Sequence, residues 1–127
     1  MAYPSGTGSE IIRRGTIHNQ VAAATSFKFD GTNPTTGTAT DVVPVNHIIT
    51  MLSISICDQA NATKIIDLYC DTNSVRIFLL QSQSIGPYET FLWNEKFVLH
   101  PGDNLEINGA SGANLDIYYT YIDQNWE

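Results

Sequence analysis

The sequence is poor in charge, in basic residues and in long apolar runs, and each shortage argues against a class of function. Only 15% of the 127 residues are charged, against roughly 25% in typical soluble domains. Six lysines and arginines are outnumbered by thirteen aspartates and glutamates, so the net charge of −7 would repel nucleic-acid phosphates. No apolar run reaches the roughly 18 residues of a membrane-spanning helix, and no signal-peptide pattern begins the chain. We therefore expect neither a nucleic-acid partner nor a membrane partner.

Cysteine is also scarce, because the chain has only Cys57 and Cys70. If residues 61–64 form a hairpin turn, the two cysteines lie diagonally on one face of adjacent strands, about 7–8 Å apart. That distance is longer than a disulfide usually spans. A single pair also lacks the paired short spacings of a structural zinc site. The prediction is two buried thiols without a bridge or a metal.

What the sequence has instead is a succession of short alternating apolar segments separated by turn residues. They amount to roughly eight strands, with turn signals every eight to twelve residues and no convincing amphipathic helix. This pattern predicts an all-β fold, a single antiparallel β-sandwich of jelly-roll-like form. Residues 1–14 are predicted as a flexible N-terminal arm, and residues 15–127 as the sandwich domain. Gly15 argues against a long regular strand near that boundary.

Two segments carry the strongest strand signals. Residues 47–57 alternate so that one set is expected to face the core: Ile48, Thr50, Leu52, Ile54 and Ile56. Residues 93–121 predict a meander of three strands, with Pro101 and Gly102 forming the first turn. In its last strand the core-facing set is Leu115, Ile117, Tyr119 and Tyr121, while Tyr118 points to the opposite face. Because both faces carry apolar or aromatic groups, one of them is expected to contact a partner layer or subunit.

Residues for catalysis or metal binding are hard to find. His18, His47 and His100 lie beside turns or strand ends, without a GxSxG elbow or a clustered HxH pattern. The loop from Asp30 to Asp41 lacks the alternating carboxylates and final glutamate of a calcium loop. Paired carboxylates for glycoside hydrolysis are not settled by spacing alone, although the acidic residues occupy strand ends or polar faces. We predict no catalytic residue, no cofactor and no metal.

The candidate binding residues lie near the two ends of the chain. Arg13 and Arg14 hold two of the six basic side chains and are either a solvated pair or a contact to an acidic partner surface. Trp126 is expected either to pack on a neighbouring subunit or to fold back over the sandwich edge. Aromatic side chains such as Tyr118 could also stack on sugars. The predicted partner interface comprises Ile11, Ile12, Arg13, Arg14, Tyr118 and Trp126.

The segment FVLHPGDNLEINGASGANLDIYYTYID resembles the ending of small virion proteins of tailed bacteriophages. Its sequence of strand, PGD turn, LxI, small-residue turn, alternating strand and final Tyr-x-acid is typical of them. The resemblance covers residues 91–123, about a quarter of the chain. The stretches GTIHNQ and DGTNPTTGT also resemble structural proteins of marine and cyanobacterial phages.

This resemblance implies a non-enzymatic head decoration, or cement, protein. Such a protein is a β-sandwich, often a homotrimer, made in the host cytoplasm and bound on the capsid surface of the virion to the major capsid protein. The N-terminal arm would add as a strand to a neighbour, and Arg13 and Arg14 would contact acidic capsid groups. Two alternatives stay open. One is a neck, tail, baseplate or fibre-associated receptor-binding component, and the other is a small jelly-roll lyase or hydrolase that uses the histidines and acids.

Overall fold

A computed structural model describes residues 9–20, 22–39, 41–109 and 114–126. It arranges them as nine strands: β1 (Ser9–Gln20), β2 (Thr25–Ser26), β3 (His47–Asp58), β4 (Lys64–Thr72), β5 (Val75–Ile85), β6 (Thr90–Trp93), β7 (Phe97–Leu99), β8 (Asn104–Gly109) and β9 (Leu115–Asn125). Within the described ranges no helix has the length and apolar character needed to cross a membrane.

The strands form two antiparallel sheets packed as a sandwich. Sheet A has the order β1-β9-β3-β6, and β7 also pairs with β3; sheet B has the order β2-β8-β4-β5. Because β6 and β7 pair with successive parts of the same edge of β3, they share one strand position. This order is that of a jelly roll. The predicted all-β sandwich is therefore confirmed, with nine strands instead of about eight because one strand is split.

The core lies between the two sheets, where alternate side chains of each strand point inward. Sheet A contributes Ile17, Ile49, Met51, Ile54 and Ile56 together with Leu115, Ile117, Tyr119 and Tyr121, while sheet B contributes Ile66, Leu68, Leu105 and Ile107. The predicted inward face of β9 is thus confirmed. Phe27 packs edge-on against Tyr119 at a centroid distance of 4.7 Å, and Phe29 packs likewise against Tyr121 at 5.1 Å.

A β-bulge in β3 reverses the predicted alternation of that strand. Its pairing with β9 passes from Met51 opposite Tyr121 to Ser53 opposite Thr120, so one residue of β3 is left over. One extra residue moves every later side chain to the other face. Ile54 and Ile56 are buried as predicted, but before the bulge Ile49 and Met51 occupy the core. The prediction for Ile48, Thr50 and Leu52 was therefore wrong.

The predicted hairpin after β3 and the predicted meander of residues 93–121 are both replaced by crossings between the sheets. β4 does not return beside β3, because β9 and the β6–β7 position already occupy both edges of β3. Cys57 and Cys70 consequently lie in different sheets as free, half-buried thiols. The segment 93–121 is not a meander either, since β7 and β9 belong to sheet A while β8 belongs to sheet B.

The turn between β7 and β8 forms as predicted. The Asp103 amide donates a 3.0 Å hydrogen bond to the His100 carbonyl oxygen, and Gly102 has a φ of +89°. These are the features of a type II turn with proline second and glycine third. The turn reverses the chain and passes it from sheet A to sheet B.

The predicted N-terminal arm overlaps the first strand. Residues 9–14 pair with β9 in continuous register, from Ser9 opposite Asn125 to Arg14 opposite Thr120. They are therefore sheet residues, because backbone hydrogen bonds to β9 fix them, and only residues 15–20 of β1 fall in the predicted domain. Residues 1–8 of the predicted arm lie outside the described residues.

Candidate interaction surface

The face of sheet A that is turned away from sheet B, here called the outer face, carries two rows of side chains that combine apolar residues with threonine and serine. In one row Ile12, Ile122, Thr50 and Val98 follow one another across β1, β9, β3 and β7. In another row the order is Thr16, Tyr118, Ser55 and Leu92. The exposed fractions are 73% for Ile12, 51% for Val98, 57% for Leu92 and 48% for Tyr118. The outer face is thus broad and open to contact, with exposed apolar side chains set among hydroxyl groups.

The outer face is also nearly neutral, although the chain carries a net charge of −7. By the strand alternation, its charged groups and histidines are Glu10, Arg14, His18 and Asp116. The Arg14 guanidinium carbon lies 5.7 Å from the centre of the Tyr118 ring, within the range of a cation–π contact. His18 Nδ1 lies 2.8 Å from Asp116 Oδ1. Each basic group therefore has a partner on the same face.

A shallow cavity of about 360 Å³ occupies one end of the outer face. Its lining includes Thr16, His18, Ser55, Cys57, Asp116 and Tyr118. His18 Nδ1 contacts Asp116, and His18 Nε2 lies 3.1 Å from the Asn19 amide nitrogen. Both ring nitrogens are therefore engaged, so the ring has no nitrogen directed at the Cys57 thiol. Among the described residues no three His, Cys, Asp or Glu side chains are placed to hold a metal ion.

β1 forms one border of sheet A. The Thr16 amide donates a 3.1 Å hydrogen bond to Asn33 Oδ1, so it points away from β9. Because alternate residues of a strand direct their N–H and C=O groups to the same side, the groups of Glu10, Ile12 and Arg14 also point away from β9. No described strand pairs with them. We call these backbone groups the β1 edge.

A depression of about 330 Å³ runs beside the β1 edge. It is lined by Ile11, Ile12, Arg13 and Arg14 of the strand and by Gly31 and Asn33 of the following loop. Four of the six predicted interface residues thus meet in one place, and Tyr118 adjoins them through Arg14. Trp126 is separate, because it follows β9 at the opposite end of that strand from Tyr118, where its amide donates to the Asn46 carbonyl oxygen at 3.2 Å.

Arg13 has an internal role. Its Nε lies 3.6 Å from Asp123 Oδ2, and His47 Nδ1 lies 2.6 Å from the other oxygen of the same carboxylate. The Asp123 side chain is only 6% exposed. The three groups join β1, β9 and β3 at one end of sheet A, so of the two predicted arginines only Arg14 projects from the outer face. His47 belongs to this structural cluster, far along the sheet from His18.

Sequence reasoning did not include Glu10, Leu92, Val98 and Ile122 in the predicted partner interface. Alternation places Leu92 opposite Phe91 and Trp93, which is a usable signal for an outward side chain. However, the rows depend on which strands are neighbours and in what register, and a single sequence does not contain that information.

A second polar cluster lies on the outward side of sheet B. Arg76 donates two hydrogen bonds to the Asp71 carboxylate, at 2.8 and 3.1 Å, and lies 3.9 Å above the Tyr69 ring. These hydrogen bonds lower the pKa of Asp71. Burial, with the neighbouring Glu106 carboxylate, raises the pKa of Tyr69 to about 12. Arg76 therefore links β5 to β4 through Asp71 and stabilises that strand pair.

The comparisons with known proteins do not name a family. No family model matches the chain, and no curated protein matches it. Among solved structures, the chain is similar to a protein of the Bacillus endospore appendages, a family of disulfide-linked pili. That match has 11% identity and a TM-score of 0.46, and it covers 100% of this chain and 97% of the other. The chain is also similar to Eiger TNF from S. frugiperda, with 14% identity, a TM-score of 0.39 and coverage of 91% and 92%.

Proposed function

We propose that this protein is a non-enzymatic structural component of a tailed-phage virion, a head decoration protein whose outer face of sheet A lies on the major capsid protein. One observation supports the surface assignment: four exposed apolar or aromatic side chains, Ile12, Val98, Leu92 and Tyr118, lie on a nearly neutral, regular sheet face. Burying such a face against another protein removes apolar surface from water, which favours association. Exposed apolar side chains that gather on one face are typical of interaction sites.

The size of the outer face suits one specific protein contact. Eleven residues of β9 span about 36 Å and four strand positions span about 19 Å, giving roughly 700 Å². A stable interface buries about 800 Å² on each partner. The outer face alone therefore provides most of the area that one subunit needs to bind a capsid.

The phage setting of the proposal comes from the resemblance in residues 91–123, and the surface comes from the fold. The two fit together physically. A shell that is filled with DNA must resist internal pressure, and many copies of a small module add contact area across its seams. The near-neutral outer face also lets a strongly acidic chain approach a shell without charge repulsion at the contact.

Binding to heads that lack the protein tests the proposal. Purified protein is sedimented with such heads, and the bound ratio and the temperature of DNA release are measured. We expect saturable binding that raises the release temperature. A failure of the wild-type protein to bind would overturn the decoration role and direct the search to the neck, tail, baseplate or fibre.

A matched pair of variants tests which surface binds. Val98 on the outer face and Val75 in sheet B are similarly exposed, at 51% and 56%. Val98→Asp should abolish sedimentation with heads, because a buried unpaired carboxylate is costly. Val75→Asp should bind like the wild type. Equal binding by both variants would exclude the outer face as the capsid contact.

A further inference from the structure

We propose that the β1 edge pairs with the β1 edge of a second copy, antiparallel and centred on Ile12. A two-fold axis normal to the sheet would then join two copies of sheet A into one continuous sheet. The pairing is an addition to the proposed function and does not depend on it. It assigns a role to the depression lined by Ile12, Arg14 and Asn33, where the partner's strand would lie.

The β1 edge provides the backbone groups for this pairing. Glu10, Ile12 and Arg14 each direct an N–H and a C=O away from β9, as established by the Thr16 hydrogen bond to Asn33. In the proposed register these residues form three facing pairs with two hydrogen bonds each, about six in all. The Thr16 amide already donates a hydrogen bond to Asn33, so the unpaired backbone groups of the β1 edge end at Arg14. The pairing is therefore short and has a defined end.

The charges on the edge select the register. With Ile12 opposite Ile12 of the second copy, Glu10 of each copy lies opposite Arg14 of the other. Directly opposed unlike charges stabilise a strand pair, and like charges destabilise it. Centring the pair on Glu10 or on Arg14 would place identical charges together. Centring it on Ile11 would place Glu10 opposite Ile12, and centring it on Arg13 would place Arg14 opposite Ile12, so neither register pairs Glu10 with Arg14. The proposed register is the one that pairs every charge.

This pattern identifies the partner as a second copy. The order acid, isoleucine, base along alternate positions is complementary to itself when it is reversed, as a two-fold interface requires. Pairing would also cover Ile12, which is 73% exposed. The axis normal to the sheet would direct both outer faces to the same side. A dimer would then present about twice the apolar area to one flat partner.

Sedimentation equilibrium of the full chain over a range of concentrations tests the pairing. We expect the wild-type protein to form a dimer. Arg14→Glu and Glu10→Arg each create two like-charged facing pairs and should raise the dissociation constant roughly tenfold or more. The double variant with both substitutions exchanges the charges and should dimerise like the wild type.

Two further variants distinguish dimerisation through the β1 edge from binding through the outer face. Ile12→Pro removes an amide hydrogen that points away from β9, so it should give a monomer. Val98→Asp, which lies on the outer face and off the edge, should stay dimeric while losing head binding. A monomeric wild type, or a trimer that is insensitive to the charge exchange, would overturn the pairing. Neither result would affect head binding, so the two proposals fail independently.

Discussion

The ring of Tyr119 lies directly against Gly15 across the β1–β9 pair, in the space that a β-carbon at position 15 would occupy. The ring cannot easily move away. The Tyr119 hydroxyl donates a 2.8 Å hydrogen bond to the Lys28 carbonyl oxygen and accepts a 3.1 Å hydrogen bond from the Lys28 amide, and Phe27 packs against the ring. Position 15 therefore requires glycine, because any β-carbon there would overlap the Tyr119 ring.

We predict that Gly15→Ala lowers the free energy of unfolding by about 1–3 kcal/mol, the usual cost of overpacking a core. Denaturant titration followed by tyrosine fluorescence and circular dichroism would measure it. Thr16→Ala, one residue along β1 and outward-facing, is the matched control and should change stability by less than about 0.5 kcal/mol. Equal effects of the two substitutions would show that the ring of Tyr119 tolerates the added methyl group.

Asp123→Asn should destabilise the protein by about 2 kcal/mol, because His47 and Arg13 then lose a buried anionic partner. Asp116→Asn provides the control, since Asp116 also pairs with a histidine but its side chain is 41% exposed. An exposed pair contributes little, so this change should cost no more than about 0.5 kcal/mol. Thermal or chemical unfolding at pH 7 compares them. A larger loss from the exposed pair would contradict the structural role of Asp123.

Cys70 should react slowly with thiol reagents in the folded protein. Burial, assisted by the nearby Asp103 and Asp71 carboxylates, raises the pKa of its thiol from 9.0 to about 11. The thiolate is the reactive form, so alkylation by iodoacetamide at pH 8 should be roughly 100-fold slower than in unfolded protein. Mass spectrometry of a Cys57→Ser variant gives both rates. Similar rates for the two states would show that Cys70 is accessible and ionised.

Stability at low pH should depend on Arg76. Hydrogen bonds from Arg76 lower the pKa of Asp71 in the folded state. A carboxyl group whose pKa is lowered by folding stabilises the folded state at pH values above its unfolded pKa, which is about 3.9. That stabilisation is lost as the pH falls through the pKa of the folded state. The stability difference between the wild type and Arg76→Ala should thus be constant from pH 6 to about 5 and shrink below pH 4. Unfolding curves at several pH values check this. Lys96→Ala, at an exposed position, is the control, and its stability difference from the wild type should not change with pH.

Sequence patterns predicted the parts of the fold that depend only on residues close together in the chain. Alternation along Leu115–Tyr121 identified the inward face of β9, and Pro101 with Gly102 specified their turn. The same reasoning failed where the structure depends on contacts between residues that are far apart in the sequence. The bulge before Ser53 depends on pairing with β9, and a turn signal reverses a chain without determining which sheet it joins. Gly15 argued against a long strand, yet β1 has twelve residues because Tyr119 fills the missing volume from the other end of the sequence.

The candidate surface likewise combines features that the sequence predicted with features that depend on strand order. Ile12, Arg14 and Tyr118 were singled out from their types and positions, and strand alternation places all three on the outer face. Arg13 was grouped with Arg14 because the two are adjacent in sequence. In a strand adjacent residues point to opposite faces, so one arginine projects from the outer face while the other is committed to Asp123. The rows that complete the surface required the strand order.

The central position of β9 in sheet A has a consequence for the order of folding. β9 lies between β1 and β3 in the sheet but follows β1 by most of the chain and β3 by nearly half of it, so sheet A cannot close until β9 is available. Contacts between such distant segments form slowly, because a large loop must be closed before they gain stability. During that interval β1 and β3 expose unpaired edges to other unfolded chains. We therefore expect refolding yield to fall with protein concentration more steeply than in a sandwich built from consecutive hairpins.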